Sequence, residues 1–204
     1  MSRQLKFLKK LNTPNKIQDF LDKLPFNLER RGETYRSPGE VLKHKRAHCF
    51  EGALLALAAL HLNGKKAFLL DLKTSDLKND ADHCVTLFTE GRGRDKRWGA
   101  ISKTNHAVLR FRDPIYLSPR EIAASYFHEY FLNDGKKTLT SHSEPFDVVV
   151  KFGIDWVESH EDLDEIALAL DRSKHYNFYN KSQRKSLRKA SKLEIRASLL
   201  AEFK

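Results

Sequence analysis

The sequence predicts an α+β fold, and three observations carry that reading. Segments with clear helix starts come first, one helix apolar on nearly every side follows, and a run of short strands then precedes a second set of helices. The strict strand–helix alternation of a doubly wound sheet is absent. With 204 residues, 40% of them hydrophobic, the chain is long enough to bury a real core as one domain with appendages.

Thr13-Pro14, Ser37-Pro38 and Ser118-Pro119 each place a hydroxyl at an N-cap and proline at the first helical position. Glu40 and Glu121 fall three residues after their serines, the spacing of a capping box. The first of these helices offers Ile17, Phe20 and Leu21 to a core, and the third offers Ile122, Tyr126, Phe127 and Tyr130. From Cys49 to Leu62 the pattern requires burial all round, and Asn63-Gly64 ends it. Ala67 to Leu72 is short and apolar on both faces, as a central strand is. The segments His83 to Phe88, Arg97 to Ile101 and Ala107 to Phe111 read as further strands, with Phe146 to Phe152 as one more. After Asp171 the composition turns to Lys, Arg, Ser and Asn and ends in a basic helix. We therefore expect an α+β domain over 1–157 and a charged helical extension over 158–204.

The formal net charge is +10, and its distribution is uneven. Five acidic residues lie between Glu158 and Glu165, whereas Arg172 to Arg196 holds nine basic residues against the single Glu194. The bland expectation is a solvated basic helix paired with the acidic segment; the sharper one is a polyanion contact, with Tyr176, Phe178 and Tyr179 stacking on bases. No apolar stretch is long enough to span a bilayer, and the basic N-terminus lacks the apolar run of a signal peptide, so the expected location is cytoplasmic with no membrane partner. Two cysteines, Cys49 and Cys84, give no disulfide framework and are expected as reduced thiols.

A thiol attacks as thiolate, and the first turn of a helix favours that anion. Cys49 falls at the start of the buried helix, and His83 heads a strand within reach as its base. Alternation along the strand puts His83 and Cys84 on opposite faces, so Cys84 is expected to point away from the site. Arg46-Ala47-His48 offers neither glycine nor a clear N-cap; a helix running unbroken from Pro38 through Cys49 would cost the thiol its dipole. A zinc shell from His44, His48, Cys49 and His83 is the competing arrangement, but no Cys-x-x-Cys accompanies it and Lys43, Lys45 and Arg46 repel a cation, so neither metal nor cofactor is expected.

The run from Ala47 to Leu60, with Gly64, a strand, His83 on the next strand and Trp98 on a third, resembles the transglutaminase-like superfamily over about residues 38 to 116. The resemblance implies a papain-like α+β core and a Cys-His-Asp/Asn triad doing thioester chemistry on amides. The family's aspartate position after the tryptophan falls on Ser102 here. Ser102 ranks first as the group orienting His83 by spacing and Asn105 second by chemistry, with Asp113 a further option. The implied function is amide hydrolysis or acyl transfer on a peptide or amide substrate, with the Cys49 backbone N–H as one oxyanion donor. The alternative is an inactive binding module of the same fold, contacting nucleic acid or another polyanion through its basic C-terminal segment.

Overall fold

A computed structural model describes residues 2–30 and 32–203. Helices α1 (Arg3–Lys10), α2 (Pro14–Asp22) and α3 (Pro38–His44) lead to α4 (Cys49–Leu62). Strands β1 (Phe68–Thr74), β2 (His83–Glu90), β3 (Arg97–Ser102) and β4 (Arg112–Tyr116) follow, then α5 (Pro119–Tyr126), β5 (Leu139–Ser143), α6 (Val148–Phe152), α7 (Asp164–Asp171), β6 (His175–Asn177), α8 (Lys181–Arg184) and α9 (Lys192–Ser198). The expected α+β architecture is what the chain adopts: a buried helix packed on an antiparallel sheet, with flanking helices. No helix among the described residues is long and apolar enough to cross a membrane.

Every residue of α4 from Phe50 to Leu60 is buried, because α1, α2 and α3 cover one side and β1, β2 and β3 the other. That enclosure explains its lack of a polar face. The sheet order is β4-β3-β2-β1-β5-β6, all pairs antiparallel. Leu69, Cys84, Phe88 and Ile101 face α4; Leu70, Val85, Leu87 and Ala100 face α5, against Ile122, Ala123 and Tyr126.

The three hydroxyl caps form as expected: Thr13 Oγ1 accepts from Lys16 N–H at 3.3 Å, and Ser37 and Ser118 Oγ accept from Glu40 and Glu121 N–H at 3.2 Å each. The reciprocal half of each capping box does not. Glu121 accepts from Leu117 N–H instead, and Glu40 turns to Lys43 and His160.

Two expected strands are corrected. Residues 107–110 turn rather than extend, since Leu109 takes the left-handed conformation (φ 61°), and β4 begins only at Arg112. In the 146–152 segment only Phe146 bridges the sheet, to Leu69; Asp147 then accepts from Val150 N–H and starts α6 despite three β-branched valines. Beyond Asp171 the chain is not only helical, because β6 pairs with β5 at the sheet edge. Among the described residues, no basic side chain there pairs with the 158–165 segment: Lys189 meets Asp134 at 3.6 Å and Arg184 donates to Ser75 Oγ at 2.9 Å. Phe178 packs on Phe127 and His142, and Tyr179 packs on Phe127 while its hydroxyl donates to Leu139 O, so both aromatics are engaged within the fold.

Gly52 lets α4 approach the segment after β3, since a Cβ there would stand 2.5 Å from Lys103 Cβ. Helix propensity favours Gly52→Ala by up to about 1 kcal/mol, but overpacking costs about 1–3 kcal/mol. The variant is expected to unfold at lower urea concentration than the parent, with an unchanged denaturant slope.

Candidate active site

The site begins with a break in the chain. Lys45 closes α3 in the left-handed conformation (φ 53°), and Ala47 then bonds the 25–27 segment through both backbone groups: Ala47 N–H to Pro25 O at 3.2 Å and Asn27 N–H to Ala47 O at 3.1 Å. His48 is extended, so α4 starts afresh at Cys49. Cys49 therefore stands at the first helical position, where its own N–H and that of Phe50 have no intrahelical acceptor. Its half-buried sulfur lies 4.0 Å from Asp82 O, at the start of β2.

The His83 ring lies close enough to the Cys49 sulfur that its hydrogen bonding and charge help lower the thiol pKa. Its Nε2 is 2.9 Å from Ser102 Oγ, whose single hydrogen is donated to Leu109 O at 2.5 Å. With that hydrogen committed, Ser102 Oγ accepts, and Nε2 carries the proton. Nδ1 is left as the nitrogen for the thiol. Ser102 is itself clamped by Gln18, which accepts from Ser102 N–H at 3.0 Å and donates to Ser102 O at 2.8 Å. Tyr126 lies edge-on to the His83 ring, with centroids 6.4 Å apart.

The structure thus brings Cys49, His83 and Ser102 together and sends Asn105 elsewhere. Asn105 accepts from Phe203 N–H and donates to Phe203 O, both at 2.9 Å, so it fastens the C-terminal segment to the loop behind Ser102. Asp113 is exposed on β4. Cys84 does not point away: the two residues occupy opposite faces, but the face packed on α4 is that of Cys84, and it lines the same cleft as Cys49. His83 reaches the sulfur because it is the first residue of its strand. Burial pushes the Cys84 thiol well up, which suits an inert core residue.

His48, expected only as a candidate zinc ligand, lies beside the thiol instead. Here its Nε2 donates to Thr34 O at 2.7 Å, with Glu29 Oε1 at 3.6 Å and Glu51 Oε1 at 3.7 Å. Glu51 is fully buried and accepts from Thr34 Oγ1, Asn27 Nδ2 and the backbone N–H groups of Arg36 and His48. The spacing of Glu51 three residues after His48 was the available signal. Burial opposes charge on His48, yet hydrogen bonding to Cys49 and the charges of Cys49, Glu51 and Glu29 raise its pKa to about 9. Burial likewise pushes the Cys49 thiol up, and hydrogen bonds and charge from His48 and His83 outweigh it, bringing the pKa down to about 5. The helix terminus supplies about 0.3–1 kcal/mol where a tenfold change in ionisation takes about 1.4, so the rings dominate.

His44 turns to Glu40 at 3.3 Å and takes no part. The one group of three metal-type ligands among the described residues is Asp71, Asp82 and Asp171, whose oxygens lie within 4.8 Å of one another. Lys73 already pairs with Asp171 at 2.7 Å and His175 with Asp71 at 3.1 Å.

No family model matches the chain, and no curated protein gives a match. Among solved structures, Legionella pneumophila LapG is similar in backbone course: the EGTA-treated form has 12% identity and a TM-score of 0.43, and a second structure has 11% and 0.41. Each alignment covers 76% of this chain and 82% of that one. No residue role transfers at that distance, so the geometry of the site alone carries its chemistry.

Ser102→Ala removes one neutral hydrogen bond that fixes the His83 tautomer. Iodoacetamide labelling of Cys49 at pH 7 is expected to slow by about two- to tenfold, the equivalent of ~0.5–1.5 kcal/mol. An unchanged rate would show that Ser102 does not orient the ring.

Proposed function

We propose that the chain is a cysteine enzyme of the transglutaminase-like kind, opening an amide bond through a thioester. The observation that supports this best is the linked set Cys49–His83–Ser102–Leu109, in which hydrogen-bond direction leaves one imidazole nitrogen for the nucleophile at a helix start. In the first step the thiol proton passes to His83 and the sulfur attacks the amide carbonyl carbon. The resulting oxyanion faces the unpaired N–H groups of Cys49 and Phe50. Collapse breaks the C–N bond, and the leaving amine takes the proton from His83. Water or a second amine, deprotonated by His83, then attacks the thioester and releases the thiol.

The cleft exposing Cys49 has a volume of ≈ 690 Å³, and among the described residues its lining includes Glu33, Asp80, Asp82 and Asp164 but no lysine or arginine. Burial pushes the Asp82 carboxyl up to about 6, with the charges of Asp71 and Asp171 adding to the rise. Exposed Leu77 and Leu168 supply apolar wall beside these carboxylates. A peptide bearing lysine or arginine, an aliphatic stem ending in a cation, suits that combination.

Incubation with lysine- or arginine-containing peptides is expected to give a Cys49 acyl adduct by mass spectrometry. Hydroxylamine should convert the adduct to a hydroxamate, and Cys49→Ala should form none. Turnover should fall as salt is raised, since the attraction is screened. Absence of any acyl adduct across a varied peptide set would remove the enzyme reading.

A further inference from the structure

His48 occupies a helix N-cap, a place ordinarily filled by Ser, Thr, Asp or Asn. Its backbone N–H donates to Glu51 Oε2 at 3.1 Å, but the far nitrogen of the ring is not spent on the helix terminus. Instead the side chain is buried, 7% exposed, with Nε2 committed to Thr34 O. A carbonyl oxygen only accepts, so Nε2 carries a hydrogen whatever the ring's charge. Two carboxylates stand within 3.7 Å of that nitrogen, Glu29 from the 23–37 segment and Glu51 from α4. The other charges facing this group are Arg36, whose Nη1 lies 3.8 Å from Glu51 Oε1, and Cys49 itself, which His83 approaches from β2. Among the described residues the Arg36 side chain makes only this long contact, to the same carboxylate oxygen that faces His48. A buried ring between two carboxylates and a sulfur is an environment that favours the imidazolium, since each neighbour rewards the positive form.

Resting on the reading of Cys49 as nucleophile, we propose that His48 is a second catalytic imidazole, a fixed cation that holds Cys49 as thiolate and leaves His83 free to carry the proton. Most single-histidine thiol sites ask one ring to do both tasks. Here the tasks are divided. His48 neither gains nor loses a proton in the cycle; it stabilises negative charge on sulfur in the resting state and is reinstated each time the thioester opens. His83 already carries the proton that the thiol has given up, passes it to the leaving amine, and takes the next from water or the acceptor amine. The division also compensates for Ser102, because a hydroxyl cannot stabilise an imidazolium as a carboxylate does. The cation that steadies the thiolate is backed by Glu29 and Glu51 instead.

The test is a pH titration of Cys49 in a Cys84→Ala background, read by thiolate absorbance near 240 nm and by iodoacetamide labelling rate, with far-UV circular dichroism confirming the fold. The parent is expected to titrate well below neutrality. His83→Ala should abolish turnover yet keep the thiolate at pH 7. His48→Gln, which retains a donor to Thr34 O, should cut labelling at pH 6 by about tenfold or more as the thiol returns toward its ordinary range. Glu29→Gln provides a second, more exposed variant: the His48 ring, followed by NMR, should titrate at lower pH than in the parent. If His48→Gln leaves the Cys49 curve in place while His83→Ala removes it, the division of labour is wrong and the proposed enzyme function survives. A parent thiol that titrates like free cysteine, near pH 8.5, would sink both.

Discussion

Ala47 gives both of its backbone hydrogen-bonding groups to the strand-like segment around Pro25 and Asn27, and the chemistry of the protein depends on that pairing. Without it, α3 and α4 could continue into one another, and Cys49 would lie inside a helix with its N–H spent on a carbonyl four residues back. The break converts a buried thiol into one with unpaired donors beside it. It also turns His48 inward, so that Thr34, Glu29 and Glu51 can receive it. One tertiary contact thereby makes the helix terminus, the candidate oxyanion donors and the first imidazole partner together.

A second constraint is electrostatic. The chain carries +10 overall, yet the cleft over Cys49 is walled by carboxylates and apolar side chains. The excess cations lie mostly on surfaces remote from it, and of those near it Lys73 is neutralised by Asp171. The two rings next to the sulfur, His48 and His83, are thus the groups whose hydrogen bonding and charge bring the Cys49 thiol pKa down. A carboxylate in the place of Ser102 would add a negative charge near Leu109 O, in a spot that already supplies an acceptor.

Much of this architecture was legible in the sequence. A stretch as uniformly apolar as 50–60 has nowhere to go but the interior, and that fixes α4 against the sheet. The order of Cys49, His83 and Ser102 along the chain also survived as proximity. What was not legible depended on tertiary context. Strands β5 and β6 are Leu-Thr-Ser-His-Ser and His-Tyr-Asn, too polar to show alternation, and they extend because the free edge of β1 offers a partner to β5 and β5 in turn offers one to β6. Residues 107–111 do alternate like a strand, but Leu109 must turn to present its carbonyl to Ser102. Strand parity separated Cys84 from His83 correctly, while the choice of which face meets α4 lies outside any one strand. His48 was hidden for a related reason: its carboxylate Glu29 is nineteen positions upstream in a segment with no regular structure, so no local pattern joins them.

The loop that carries Leu109 is tied down by the last stretch of the chain, through Ala107 N–H to Leu200 O and the paired bonds between Asn105 and Phe203. Cys49 and His83 both lie in the first half of the sequence, whereas Leu200 and Phe203, which brace the loop behind Ser102, come far later. Contacts of such long sequence separation form late, after loop closure has been met. During synthesis the thiol-bearing helix and its sheet can therefore assemble before His83 is held in register. A nascent chain at that stage would hold Cys49 and His83 side by side without the brace that Leu200 and Phe203 supply to the loop behind Ser102.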